Sequence, residues 1–141
     1  MFHGGRCYHF STAEMNWAES QNYCVTKGGQ LVIIRSKEEQ DFLHRNTEDK
    51  SHWIGLNDLE TEGHWVWVNN QTLDETGVQF WRKREGETDE PDNWTYENAS
   101  GEDCASLGNE SGGTDVWYDS SCTKEKKSIC EKRTAEVFSV F

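Results

Sequence analysis

The first third of the chain carries helical punctuation. Asn16-Trp17-Ala18-Glu19 sets a side-chain acceptor ahead of the first helical residue and a glutamate three positions on, a capping box that predicts a helix from Trp17 through Tyr23 and Cys24. Gly28-Gly29 supplies its stop, and Trp17 and Cys24 share one face. Leu31-Val32-Ile33-Ile34 is a β-rich run, followed at once by Ser36-Lys37-Glu38-Glu39, a second capping box opening a helix that buries Phe42 and Leu43. Trp53-Ile54-Gly55-Leu56 reads as a buried strand.

From Asn57 to about Gly113 the pattern changes. Gly, Asn, Asp, Glu and Thr dominate, apolar residues come as isolated aromatics, and helical periodicity is absent. A connection this long needs an ordering force other than a hydrophobic core, and cations or disulfides can supply it. His64-Trp65-Val66-Trp67-Val68 alternates, predicting a strand with Trp65 and Trp67 facing one way. Val116-Trp117-Tyr118 and Ser128-Ile129-Cys130 read as closing strands. Trp17, Trp53, Trp65, Trp67 and Trp117 are assigned to the core, because each indole buries a large apolar area.

At 141 residues the chain is of ordinary single-domain size. Its formal charge of -12, with no basic stripe, argues against nucleic acid and against anionic membrane surfaces. No apolar run approaches the roughly 20 residues of a bilayer span, so no membrane insertion by this segment is expected. Met1-Phe2-His3-Gly4-Gly5 lacks the features of a signal peptide, which suggests a mature or excised piece.

Cysteines at 7, 24, 104, 122 and 130 have neither the pairing nor the histidine partners of a zinc site, so disulfides are the better reading. Asn70, Asn93, Asn98 and Asn109 each head an Asn-x-Ser/Thr sequon, and with the cysteines they point to extracellular residence. Cys7 is the natural odd cysteine, its partner expected to precede residue 1.

Between Glu85 and Cys104 the chain packs eight carboxylates and no Lys or Arg around its single proline, in Glu90-Pro91-Asp92-Asn93-Trp94 and Glu102-Asp103-Cys104. Like charges repel unless solvated or neutralised, and an oxygen-rich set suits Ca²⁺. A solvated acidic loop is the competing reading. The five histidines are scattered, and no Ser-His-Asp or phosphate-loop pattern appears. Paired carboxylates could serve a glycosidase, but that site needs one acid with a raised pKa in a cleft, whereas acids clustered on a turn suit a cation. A binding protein rather than an enzyme is expected.

Trp53-Ile54-Gly55-Leu56, Glu90-Pro91-Asp92, Glu102-Asp103-Cys104, Trp117-Tyr118-Asp119 and the cysteine spacing together resemble a C-type lectin-like domain, most closely those of type II receptors such as the asialoglycoprotein receptor and the dendritic-cell lectins. The resemblance implies an α+β C-type lectin fold over 7–132: two helices flanking small antiparallel sheets, with a long calcium-stabilised loop region and disulfide staples. Residues 133–141 would be a C-terminal tail. It implies Cys24 bonded to Cys130 and Cys104 to Cys122, with Cys7 matching the second cysteine of an N-terminal hairpin. It also implies one or two Ca²⁺ ions. The principal, sugar-binding site would use Glu90, Asp92, Glu102 and Asp119; an auxiliary site would use Asp58, Glu62, Asn93 and Asp103. Pro91 stands where the family has a cis-proline.

The implied partners are glycans on cells, glycoproteins or microbes, met by a secreted protein or a receptor ectodomain that is a candidate homo-oligomer when full length. Family members with Glu-Pro-Asn usually take mannose-type sugars and those with Gln-Pro-Asp galactose-type sugars. Glu90 and Asp92 mix these codes, being two acceptors with no amide. Trp94, placed to pack on the apolar face of a sugar, inclines the reading to galactose or N-acetylgalactosamine over mannose or fucose. Tyr118 departs from the family's asparagine, which ligates calcium and donates to the sugar. That departure keeps open a rival in which the domain binds a protein, or ice, without sugar or calcium. Asn93 cannot be both a ligand and glycosylated, so it is expected to be unmodified.

Overall fold

The computed structural model describes residues 2–48, 50–61, 63–81, 103–108 and 117–133. In chain order the elements are β1 (Phe2–His3), β2 (Arg6–Phe10), α1 (Trp17–Thr26), β3 (Gln30–Leu31), α2 (Lys37–Arg45), β4 (His52–Asn57), β5 (Val66–Trp67), α3 (Leu73–Thr76), β6 (Cys104–Leu107), β7 (Trp117–Ser120) and β8 (Lys127–Arg133). The fold is α+β. Its strands form one ladder in the order β1-β2-β8-β4-β6-β7, with β3 also on β8 and β5 also on β4. The pairings are antiparallel except β4 with β8, which is parallel, so the expected small antiparallel sheets are joined through one parallel contact.

Both predicted helices form, and their caps differ. At α1 the Asn16 side chain accepts from Glu19 N while Glu19 accepts from Asn16 N, a reciprocal capping box. At α2 Ser36 accepts from Glu39 N, but Glu39 reaches back one residue further, to Arg35 N at 2.8 Å. Its other carboxylate oxygen takes the Tyr8 hydroxyl. Glu39 thereby leaves the expected box half formed and fastens α2 to β2. The phenol's pKa is pushed up by burial and by that glutamate.

Two expectations need correcting. A third helix, α3, lies inside the stretch read as free of helical pattern. Thr72 and Glu75 form its capping box, but at four residues it is too short to show a period. The run Leu31 to Ile34 is fully buried, yet only Leu31 belongs to a regular strand. Beyond it the backbone bonds outside a ladder: Val32 N donates to Ile129 O, Val32 O accepts from Gly55 N, and Ile33 N donates to the Glu131 carboxylate. Burial pushes the Glu131 pKa up and the Arg35 guanidinium pulls it back.

All six residues of β4 are buried, and the core assembles around them. Trp53, Trp67 and Trp117 are fully buried, and Trp17 and Trp65 nearly so, as expected of these indoles. Their N–H groups find partners at Met15 O from Trp53, Ile54 O from Trp17 and Gln40 Oε1 from Trp117, as buried donors require. Trp81, which the pattern did not assign, packs edge-on against Trp65 and Trp117. The structure bonds Cys24 to Cys130, and Cys104 to Cys122. Cys7 is a buried free thiol.

Gly55 marks the tightest approach within β4. A Cβ there would stand 2.9 Å from Leu31 O, 3.0 Å from Val32 O and 3.1 Å from a Val68 methyl. Two of the three obstacles are backbone, so the strand rather than a side chain would have to move. Gly55→Ala is expected to destabilise the domain by about 1–3 kcal/mol through overpacking, measured by equilibrium denaturation.

Candidate calcium-binding rim

Of the residues expected to act together, Asp58, Asp103 and Asp119 lie where β4 ends, β6 begins and β7 passes. Asn57 pairs with Cys104, and Cys104 with Ser120, so one row crosses three strands. One step outward the Asp58 N–H donates to Asp103 O at 2.9 Å, setting these two aspartates side by side. Asp58 is 3 % exposed and Asp103 8 %. The Asp58 Oδ2 accepts from Gly63 N at 2.8 Å, which ties the following turn back to its carboxylate.

Asp119 lies on β7, paired with Ala105, and is 3 % exposed. Ala105 stands two residues beyond Asp103, roughly 7 Å of strand. Tyr118 pairs with Ser106, so strand alternation puts its side chain on the opposite face of the ladder from Asp119. The structure thus brings Asp58 and Asp103 together with Asp119 one strand away, and does not set Tyr118 on that face. Glu62, Glu90, Asp92, Asn93, Trp94 and Glu102 lie outside the described residues.

Asn57 is a positioning residue the sequence reading missed. Its Oδ1 accepts from Leu59 N at 3.2 Å and its amide donates to Val66 O at 3.4 Å. The first contact is an Asx turn that swings the chain out of β4 at Asp58, and the second anchors it to β5. The available signal was an asparagine placed directly after an apolar strand run.

The donor set fits a hard cation. Every expected ligand offers oxygen, and neighbouring buried carboxylates gain most from a cation that neutralises both. Among the described residues no three His, Cys, Asp or Glu side chains come together as a cage. The remaining expected ligands lie beyond those residues.

The Lectin C-type domain model matches residues 13–132. The chain belongs to the C-type lectin domain family. It is 38 % identical over 130 residues to CD209 antigen-like protein C of Mus musculus, covering 91 % of this chain and 64 % of that protein. Asialoglycoprotein receptor 2 of Mus musculus is 36 % identical over 131 residues, covering 92 % of this chain and 40 % of that protein. The chain therefore spans less than two thirds of these curated relatives. The carbohydrate-recognition domain of the mouse scavenger receptor C-type lectin superposes with a TM-score of 0.80 at 34 % identity, with 94 % of each chain covered. A calcium-independent type II antifreeze protein superposes with a TM-score of 0.74 at 26 % identity, over 94 % of this chain and 90 % of that one.

The second disulfide holds the rim to the helical side of the domain. Cys104 begins β6 directly after Asp103, and its partner Cys122 accepts from Trp17 N at 3.0 Å, at the start of α1. Replacing Cys104 and Cys122 together by alanine is expected to cost about 3 kcal/mol, the loop-closure entropy of a short staple. Denaturant unfolding of the double variant measures it.

Proposed function

We propose that the chain is an extracellular carbohydrate-recognition domain, spanning residues 7–132, that binds sugars through calcium. What carries the reading is the pairing of buried Asp58 and Asp103 at the end of β4, with Asp119 on the adjoining strand, in a member of this family. Glu90, Asp92, Glu102 and Asp119 would hold the principal ion, and Asp58, Glu62, Asn93 and Asp103 an auxiliary one. The ion, when bound, supplies coordination positions to two neighbouring sugar hydroxyls.

The protein's own part is to orient and select. Carboxylates at Glu90 and Asp92 accept the hydrogen bonds those hydroxyls donate, fixing the ring's direction. The Trp94 indole offers an apolar face to sugar C–H groups, which supports galactose-type ligands. The loop tripeptide offers acceptors and no amide, so Asp92→Asn, which restores an amide donor, is expected to move the glycan profile towards mannose. An unchanged array profile would place the specificity determinant elsewhere. No catalytic step is assigned, and the full-length protein gains avidity if it clusters.

A second reading has specific support. Tyr118 replaces the family's calcium-ligating asparagine and lies on the other face from Asp119, and a calcium-independent protein shares the fold. A metal-independent protein ligand would follow. Passage over immobilised galactose and mannose separates the two: retention with calcium and release by EDTA supports sugar recognition, and metal-independent capture of a protein supports the rival.

Calcium is also expected to raise the melting temperature, since it binds the folded rim alone. Asp58→Asn keeps an oxygen for Gly63 N while removing one charge. The variant should melt close to wild type in EDTA and show a smaller rise with calcium, read by differential scanning fluorimetry.

A further inference from the structure

The turn after β5 presents one sequon to solvent in full view. Asn70 begins Asn70-Gln71-Thr72, with no proline between, and is exposed. Its φ of 70° is the left-handed conformation that asparagine tolerates better than most residues. The turn is closed by backbone bonds, Asn70 N to Trp67 O and Trp67 N to Gln71 O, both 2.8 Å. Asn69 spends its side chain on Gln71, whereas the Asn70 carboxamide takes no hydrogen bond among the described residues.

A groove of about 270 Å³ opens beside it, lined by Asn70, Val66, Val68, Trp17 and Leu59 among others. Leu59 is 52 % exposed, one of three large apolar side chains so open to water among the described residues. The groove has room for one sugar ring, whose apolar face suits aliphatic side chains. β5 runs back along β4 from Asn57 towards Leu56, and Val68 lies over Gly55, so Asn70 sits past the far end of β5 from Asp58, while Asn57, Leu59 and Glu60 bring the groove's other wall up to the strand end beside Asp58.

We propose that Asn70 carries an N-linked glycan whose first N-acetylglucosamine lies in this groove over Leu59. In the linking step the Asn70 Nδ2 bonds to the anomeric carbon of a lipid-linked oligosaccharide. The carbon–oxygen bond to the lipid diphosphate breaks, the diphosphate leaves with the electron pair, and the amide loses a proton. The step takes place on the extended nascent chain, before Thr72 caps α3 with its hydroxyl. The proposal rests on the extracellular placement and is independent of calcium or sugar binding.

The test uses the full chain secreted from cultured eukaryotic cells behind a secretory leader. Peptide N-glycosidase F in heavy-oxygen water should convert Asn70 to labelled aspartate in most copies. Asn70→Asp, which preserves the tolerance for positive φ, should lose one glycan's worth of mass. Hydroxyl-radical oxidation of Leu59 should rise severalfold once the glycan is removed. Recovery of the wild-type peptide with Asn70 unmodified overturns the proposal, and equal oxidation of Leu59 with and without the glycan overturns the seat in the groove.

Discussion

One backbone hydrogen bond, from Asp58 N to Asp103 O, sets the two buried aspartates of the rim side by side. It extends the β4–β6 ladder one step past its last pair and converts a sheet edge into a place where two carboxylates meet. That bond depends on the strands that lead into it. The buried strand β4 must be held between β6 and β8, Gly55 must let the neighbouring backbone approach, and Cys104 must be stapled to Cys122.

The core and the rim are thus built by different physics on one scaffold. Around β4, indoles fill space and satisfy their single donors on backbone or amide oxygens, so that packing and hydrogen bonding agree. At the rim, acids are gathered where packing alone would not choose them. A fold that spends burial on aspartates gains when a cation neutralises them, which is why the binding reading depends on the strand geometry as much as on the acidic loop.

Legibility in the sequence followed locality. The box of Asn16 and Glu19 could be read because both partners lie within four residues, and the structure forms it. Glu39 has the same local signature, but Tyr8 and the Arg35 backbone compete for its carboxylate, and that competition is tertiary. α3 was missed because one turn has no period, and β6 because Cys-Ala-Ser-Leu is buried on both faces and so does not alternate. The pairing of cysteines 106 residues apart was supplied by family resemblance. Asn57, whose role is to turn the chain, carries no signal beyond its position at a strand end. Of the site itself, the family resemblance named Asp58, Asp103 and Asp119, and their meeting required the register of three strands.

The most direct test of the account is a crystal structure of the chain grown with millimolar calcium, with anomalous scattering used to locate the metal. The account predicts an ion coordinated by the Asp58 and Asp103 carboxylates, or by Asp119 with the acids of the following loop. Well-ordered aspartates at this rim with no metal peak between them would contradict it.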